Sequence, residues 1–228
     1  MRSTAREPEP WLTRALVALI VGIYALTSFP QFVALNPTWA LWGAYYTGAV
    51  QHGEWYRLIT SGLLHANGIH LLLNAVILYQ MGGMVERMVG AVRIGLIYSV
   101  SALTCLGASA LVLAPTQTTL GASGMGFGVV GAYAVLVLVV TKRHGSPEEY
   151  RQQVRAALST LALLLLLTVG MGFLGDGFNH AGHLGGFVGG ALVTWLMLAG
   201  RRPATGAAPS ADPLSPGAEA SPEDSSTH

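Results

Sequence analysis

The chain has 228 residues, of which 52% are hydrophobic and only 10% charged, and its formal net charge is +1. Soluble domains carry roughly a quarter charged residues, so the composition excludes an ordinary soluble globule and predicts a polytopic membrane protein. The charge is too small for a nucleic-acid binder, and no basic cluster exceeds two adjacent residues, as in Lys142-Arg143 and Arg201-Arg202.

A membrane helix needs about twenty predominantly apolar residues. Six stretches qualify: 15–35, 67–85, 92–114, 122–141, 156–174 and 178–199. The first is too long for a typical signal-peptide core and lacks an Ala-x-Ala-like cleavage site at its end, so it reads as a span. The loop 36–66 holds Trp39, Trp42, Trp55, Tyr45, Tyr46 and Tyr56. That density of aromatic residues suits a segment lying at the headgroup level. In the third span, Cys105 is the single cysteine and reads as a small buried hydrophobe. After the sixth span the chain turns to Ala, Pro, Ser, Gly and acidic residues, which cannot bury enough surface to order themselves. The predicted organisation is all-α. A cytoplasmic segment spans 1–14, a six-helix membrane domain 15–199, and a disordered cytoplasmic tail 200–228.

Basic residues orient the bundle. With both termini inside, Arg2, Arg6, Arg14, Arg87, Arg93, Lys142, Arg143, Arg151, Arg155, Arg201 and Arg202 are cytoplasmic and only Arg57 is outside. That arrangement obeys the positive-inside rule. The second, fourth and sixth spans then run from outside to inside. Their outer halves carry His70 and Asn74, Ser123, and His183 respectively. His70 and Asn74 are four apart and share a helix face. Three parallel helices also aim their positive dipole ends at one level, which suits a developing oxyanion.

Taken singly, each of these residues has a plain structural reading. Ser123 between glycines could be a close-packing site, His70 a partnered interfacial histidine, and Asn74 an interhelical hydrogen-bonder. His183 sits in the ladder Gly182, Gly186, Gly190, which predicts that its helix presses on a neighbour. What raises the functional reading is their coincidence in depth. His65 reads as a structural hydrogen-bonder before the second span, and Glu86 and Arg87 as a tie from that span to the following loop. His180 and His183 are three apart, but HExxH is absent and no carboxylate lies in the spans near them, so no metal is predicted.

The stretch Glu54-Trp55-Tyr56-Arg57-Leu58-Ile59-Thr60, then Leu64-His65 and His70-Leu71-Leu72-Leu73-Asn74, resembles the first loop and second helix of the rhomboid intramembrane serine proteases. Gly83-Met84-Val85-Glu86 with Gly90, the GxSG motif Gly121-Ala122-Ser123-Gly124, and His183-Leu184-Gly185-Gly186 are similar to that family's other motifs, in order. The resemblance covers residues 10 to 200. It implies a six-helix bundle with a water-accessible site open to the outside. Ser123 would be the nucleophile and His183 the general base, with no acidic third member. The oxyanion would be held by the Ser123 N–H and the side chains of His70 and Asn74. Phe127 matches the position whose aromatic ring packs on the histidine, where some members carry Tyr. Arg57 matches a Trp-Arg loop element, although here Tyr56 directly precedes it. The implied activity is cleavage of single-span membrane proteins within the lipid bilayer, near the outer face of the plasma membrane, with no cofactor. The bare six-span layout favours a bacterial membrane, and no pattern specifies an oligomeric state.

Two rival readings remain at this level. A rhomboid-like binder of client helices would be expected to lack the serine or the histidine. A small transporter would favour charged residues along a pathway, and the span centres carry essentially none.

Overall fold

A computed structural model of the protein describes residues 9–144 and 179–200, with 146–148, 151–152, 154–156, 158–159 and 162–163 between them. The predicted fifth span falls largely outside the described residues, as do residues 1–8 and the tail from Arg201. Everything regular among the described residues is helical, and the β pairing is limited to two isolated bridges, Ala34 with Asn67 and Tyr45 with Thr119. Among the described residues three helices are long and apolar enough to cross a membrane, and two shorter apolar ones accompany them. The protein is a multi-pass helical membrane bundle.

The first helix, α1, spans Trp11–Thr27. It begins four residues before the predicted span and stops eight residues short of it. Phe29, Phe32 and Val33 carry the apolar run past the point where the backbone can continue. Ser28 Oγ bonds the Tyr24 carbonyl at 2.6 Å and Pro30 follows, which ends the helix.

The aromatic segment 36–66 is not a plain loop. It folds into three short helices, α2 (Pro37–Gly43), α3 (Thr47–Gln51) and α4 (Arg57–Leu63). Asn36 caps α2 by accepting the Thr38 N–H at 3.0 Å, with Pro37 preset at the first helical position. Arg57, 4% exposed, holds these helices together. Its Nη1 donates to Ala44 O at 2.7 Å, its Nη2 to Leu41 O at 2.9 Å, and its Nε to Glu54 at 2.8 Å. Tyr46 and Tyr56 face the guanidinium at 5.0 and 5.4 Å, whereas Trp55 is 65% exposed. A buried cation is tolerated here because every edge of its fork meets an acceptor. Hydrogen bonds from Tyr56 and then Arg57 hold the Glu54 carboxyl below its ordinary value, favouring the carboxylate that accepts them.

The second span is one continuous helix, Gly68–Val89. It comprises α5 (Gly68–Ile77), a π turn over Leu78–Gly82, and α6 (Gly83–Val89). Asn67 caps α5, accepting the His70 N–H at 2.8 Å. Gly90, with φ of +88°, is the one residue between α6 and α7 (Ala91–Val112), and its left-handed backbone favours glycine. Glu86 does not tie α6 to the following loop as the sequence implied. It reaches the start of α1, accepting the N–H groups of Leu12 at 3.0 Å and Thr13 at 2.8 Å. Pro10 cannot cap α1 with its side chain, so a carboxylate 73 residues away does so, where the helix dipole favours negative charge.

Helices α8 (Ser123–His144) and α9 (His180–Ala199) complete the described bundle, and α9 packs along both α7 and α8. Glycines set that packing on two faces of α9. On one face a methyl at Gly186 would overlap the Gly124 carbonyl, and one at Gly190 the Gly128 carbonyl. On the other, methyls at Gly185 and Gly189 would overlap the Thr104 backbone and side chain of α7. Lipid offers no hydrophobic drive between helices, so this backbone-to-backbone approach supplies the attraction.

Replacing Glu86 by Ala leaves two buried N–H groups of α1 unsatisfied. The expected loss is about 2 kcal/mol, read as a lowered melting temperature of the purified protein in detergent, with Glu86→Gln intermediate.

Candidate active site

The head of α8 is shaped by what precedes it. Gly121 has φ of +113°, and a side chain there would meet the His70 ring, 2.6 Å from Cε1 and 2.8 Å from Nε2. Its N–H donates to Ser61 O of α4 at 2.8 Å. The next N–H, of Ala122, donates to His65 Nε2 at 3.3 Å. That bond requires a neutral His65 ring with its proton on Nδ1. Both backbone donors ahead of Ser123 are therefore occupied by the 36–66 segment and its junction with α5. Ser123 itself opens the helix, where first-turn N–H groups have no intrahelical acceptor and the dipole is positive.

His183 lies in the first turn of α9. Asn179 starts that helix, its Oδ1 accepting the Gly182 N–H at 2.8 Å. His183 Nε2 stands 2.8 Å from Ser123 Oγ, a direct hydrogen bond between residues 60 apart in sequence. Phe127, one turn beyond Ser123 on α8, stacks on the His183 ring with centroids 4.5 Å apart and planes 12° from parallel. The stack fixes the imidazole's tilt and leaves its edge turned to the hydroxyl. Behind Ser123, Gly124 lies against Cys105 of α7, where a methyl would come within 2.6 Å of Cβ.

His70 and Asn74 are placed differently from one another. The His70 ring rests on the Gly121 backbone and makes an edge contact with His65 at 5.3 Å between centroids. Asn74 is buried, and its Nδ2 donates back to the His70 carbonyl at 2.8 Å, one turn up the same helix. Ser123, His183, Phe127, Gly121, Gly124 and His70 thus share one locus at the joint heads of α5, α8 and α9. Arg57 is not among them, because its hydrogen-bond partners all lie within residues 41–54 and it acts on the 36–66 segment. Among the described residues no three metal-ligating side chains come together, and His180 is exposed. Ser61, with His65 and Asn67, reads from the sequence as a polar residue near the site; sequence reasoning missed the bond by which its carbonyl anchors Gly121, and it missed Asn179. The available signal for Asn179 was its type, a preferred helix cap immediately before His180.

A family model for the rhomboid domain matches residues 52–200. The chain belongs to the rhomboid family. Among its rhomboid relatives, the rhomboid protease GluP of Bacillus subtilis is 29% identical over 182 residues, which is 80% of this chain and 34% of that protein. The rhomboid protease AarA of Providencia stuartii is 30% identical over 205 residues, 80% of this chain and 71% of that protein. Rhomboid-like protease 3 of Toxoplasma gondii is 30% identical over 186 residues, 81% and 67% respectively. The chain therefore spans about a third of GluP and some two thirds or more of the other two rhomboid proteins.

The tight turn ahead of Ser123 has a direct test. Gly121→Ala combines a left-handed backbone, worth about 1–3 kcal/mol of strain, with a collision against His70. Cleavage of a membrane reporter is expected to fall at least about tenfold, while the helical circular dichroism stays near wild type.

Proposed function

We propose that this rhomboid protein is an intramembrane serine endopeptidase working by a Ser123–His183 dyad. The observation that carries the reading is the 2.8 Å hydrogen bond between the Ser123 hydroxyl at the head of α8 and His183 Nε2, in which a general base accepts the O–H proton. A serine hydroxyl is a weak nucleophile until a base takes its proton during attack. In the proposed reaction Ser123 Oγ adds to the scissile carbonyl as its proton passes to His183 Nε2. His183 then returns that proton to the leaving amine as the C–N bond breaks, giving an acyl-enzyme. Water, deprotonated by the same imidazole, adds to the acyl carbonyl, and Ser123 leaves with the proton restored.

The negative charge on the tetrahedral oxygen is assigned to the Ser123 N–H, with the His70 and Asn74 side chains as further donors. Two features support that assignment. The Gly121 and Ala122 N–H groups are already engaged, so Ser123 carries the first open backbone donor of the turn. His70 packs against the same turn. Gly121 and Gly124 act as spacers that admit His70 on one side and α7 on the other. Phe127 orients the base, and Arg57 stabilises the segment that anchors the turn.

The proposed substrate is a single-span membrane protein whose helix is weak near the outer face, cut beside small side chains. A helix hides its peptide bonds in hydrogen bonds, so local unwinding must precede attack. The positive-inside rule places both termini in the cytoplasm and the site toward the outside of a plasma membrane. The membrane domain is taken as 15–199, with 1–14 and 200–228 as flanking cytoplasmic segments. A client-helix binder of the same fold would have no use for a hydrogen-bonded serine and histidine, and the observed pair favours the protease.

Liposomes carrying the full-length protein and a single-span reporter test this reading. Ser123→Ala and His183→Ala are each expected to remove at least about 10⁴-fold of the cleavage rate at unchanged melting temperature. Asn74→Ala is expected to lower turnover by about 10²–10³. Wild-type cleavage by Ser123→Ala would refute the mechanism.

A further inference from the structure

Asn179 stands outside the reacting groups, yet three elements meet on its side chain. Its Oδ1 caps α9 through the Gly182 N–H at 2.8 Å, and its carbonyl accepts the His183 N–H at 3.0 Å. Its Nδ2 donates to Ser109 Oγ near the end of α7 at 2.5 Å and reaches Thr119 Oγ1 at 3.4 Å. Thr119 lies two residues before Gly121 and is paired with Tyr45 through backbone bonds of 2.7 and 2.9 Å. One amide therefore links the helix of the base, the helix behind the nucleophile, and the loop leading into the nucleophile's turn.

The chemistry at this point is selective. Ser109 Oγ already donates to the Cys105 carbonyl at 2.7 Å, so it can meet Asn179 only as an acceptor. Ser, Thr or Asp would cap α9 equally well. A carboxylate has no donor for Ser109, and a hydroxyl, a single atom held at the Gly182 N–H by the cap, lacks the amide's second, separately placed donor atom toward α7. The glycine faces of α9 make the need plain. Residues without side chains allow two helices to approach but offer no knob to stop rotation or sliding. A directional hydrogen bond one turn from His183 supplies that stop.

We infer that Asn179 is a positioning residue for the dyad: its bonds to Ser109 and Thr119 fix the rotation and depth of α9 at which His183 meets Ser123. This inference rests on the protease reading above. It assigns Asn179 no contact with substrate and acts entirely through the placement of the imidazole.

Two variants approach the tie from opposite sides. Asn179→Ser keeps the cap and loses the arm to α7, while Ser109→Ala leaves the cap untouched and removes the acceptor. The full-length proteins in liposomes are labelled with a hydrophobic fluorophosphonate, recording amplitude and rate, and kcat and KM are measured on the single-span reporter. Each variant is expected to reach wild-type labelling amplitude. Labelling rate and kcat are expected to fall about tenfold or more, as a displacement of about 1 Å produces, with KM nearly unchanged. The double variant is expected to be no slower than the slower single one, because both remove the same bond. Wild-type labelling rate and kcat in both variants would overturn the inference. So would losses confined to amplitude and melting temperature, which would make Asn179 a helix cap alone. A wild type that is never labelled, or a Ser123→Ala protein that still cuts, would remove the protease reading and this inference together.

Discussion

The rest of the structure depends on how closely the backbone of α9 approaches those of α8 and α7. A 2.8 Å bond between a serine on one helix and a histidine on another requires helix axes nearer than larger residues permit. Gly186 and Gly190 on α9 lie against the Gly124 and Gly128 backbone of α8, and Gly131 on α8 against that of Phe187 on α9, so tightly that a methyl at Gly131, Gly186 or Gly190 would collide with the opposite backbone. Gly185 and Gly189 do the same toward Thr104 of α7. In a membrane, small residues are the means by which helices bind each other, since lipid tails compete on equal terms for larger apolar side chains. The same glycines that hold this bundle together therefore bring His183 to Ser123.

A second constraint is the treatment of polar groups in an apolar solvent, where an unsatisfied donor or acceptor is expensive. Two ends of the bundle meet it in different ways. At the end where α1 starts and α6 finishes, Glu86 closes the first turn of α1, and Tyr98 shares a 2.8 Å hydrogen bond with Thr13. At the other end, the Ser61 carbonyl and His65 Nε2 accept the Gly121 and Ala122 N–H groups, and Asn179 bonds Ser109 and Thr119 beside the Ser123–His183 pair. This second set is denser, and each bond in it ties a loop or helix start rather than a helix middle. Rigidity is placed where Ser123 and His183 keep a 2.8 Å separation.

Legibility in the sequence followed the physics of each feature. The third, fourth and sixth spans were readable within a few residues because long apolar runs end at Gly90, Gly121 and Gly200. Ser123, His183 and Phe127 were readable because their motifs are local and their spans are strongly apolar. The short helices α2 to α4 were not, because aromatic composition reports depth in the membrane and says little about backbone conformation. The end of α1 was hidden by Phe29, Phe32 and Val33, which extend the hydropathy beyond Ser28 and Pro30. The partner of Glu86 and the arms of Asn179 were hidden for a different reason. Both depend on contacts across 60 to 74 residues, which no local pattern encodes.

One methyl group tests the glycine contact between α8 and α9. Gly190 lies two turns from His183 on the same helix, and a Cβ there falls on the Gly128 carbonyl oxygen. Reporter cleavage by Gly190→Ala in liposomes is the decisive measurement, with circular dichroism and its thermal melt recorded alongside. A requirement for this contact predicts at least about a tenfold loss of cleavage with the helical signal retained. Cleavage and melting temperature both at wild-type values would contradict it, because His183 would then reach Ser123 without the close approach of the two helices.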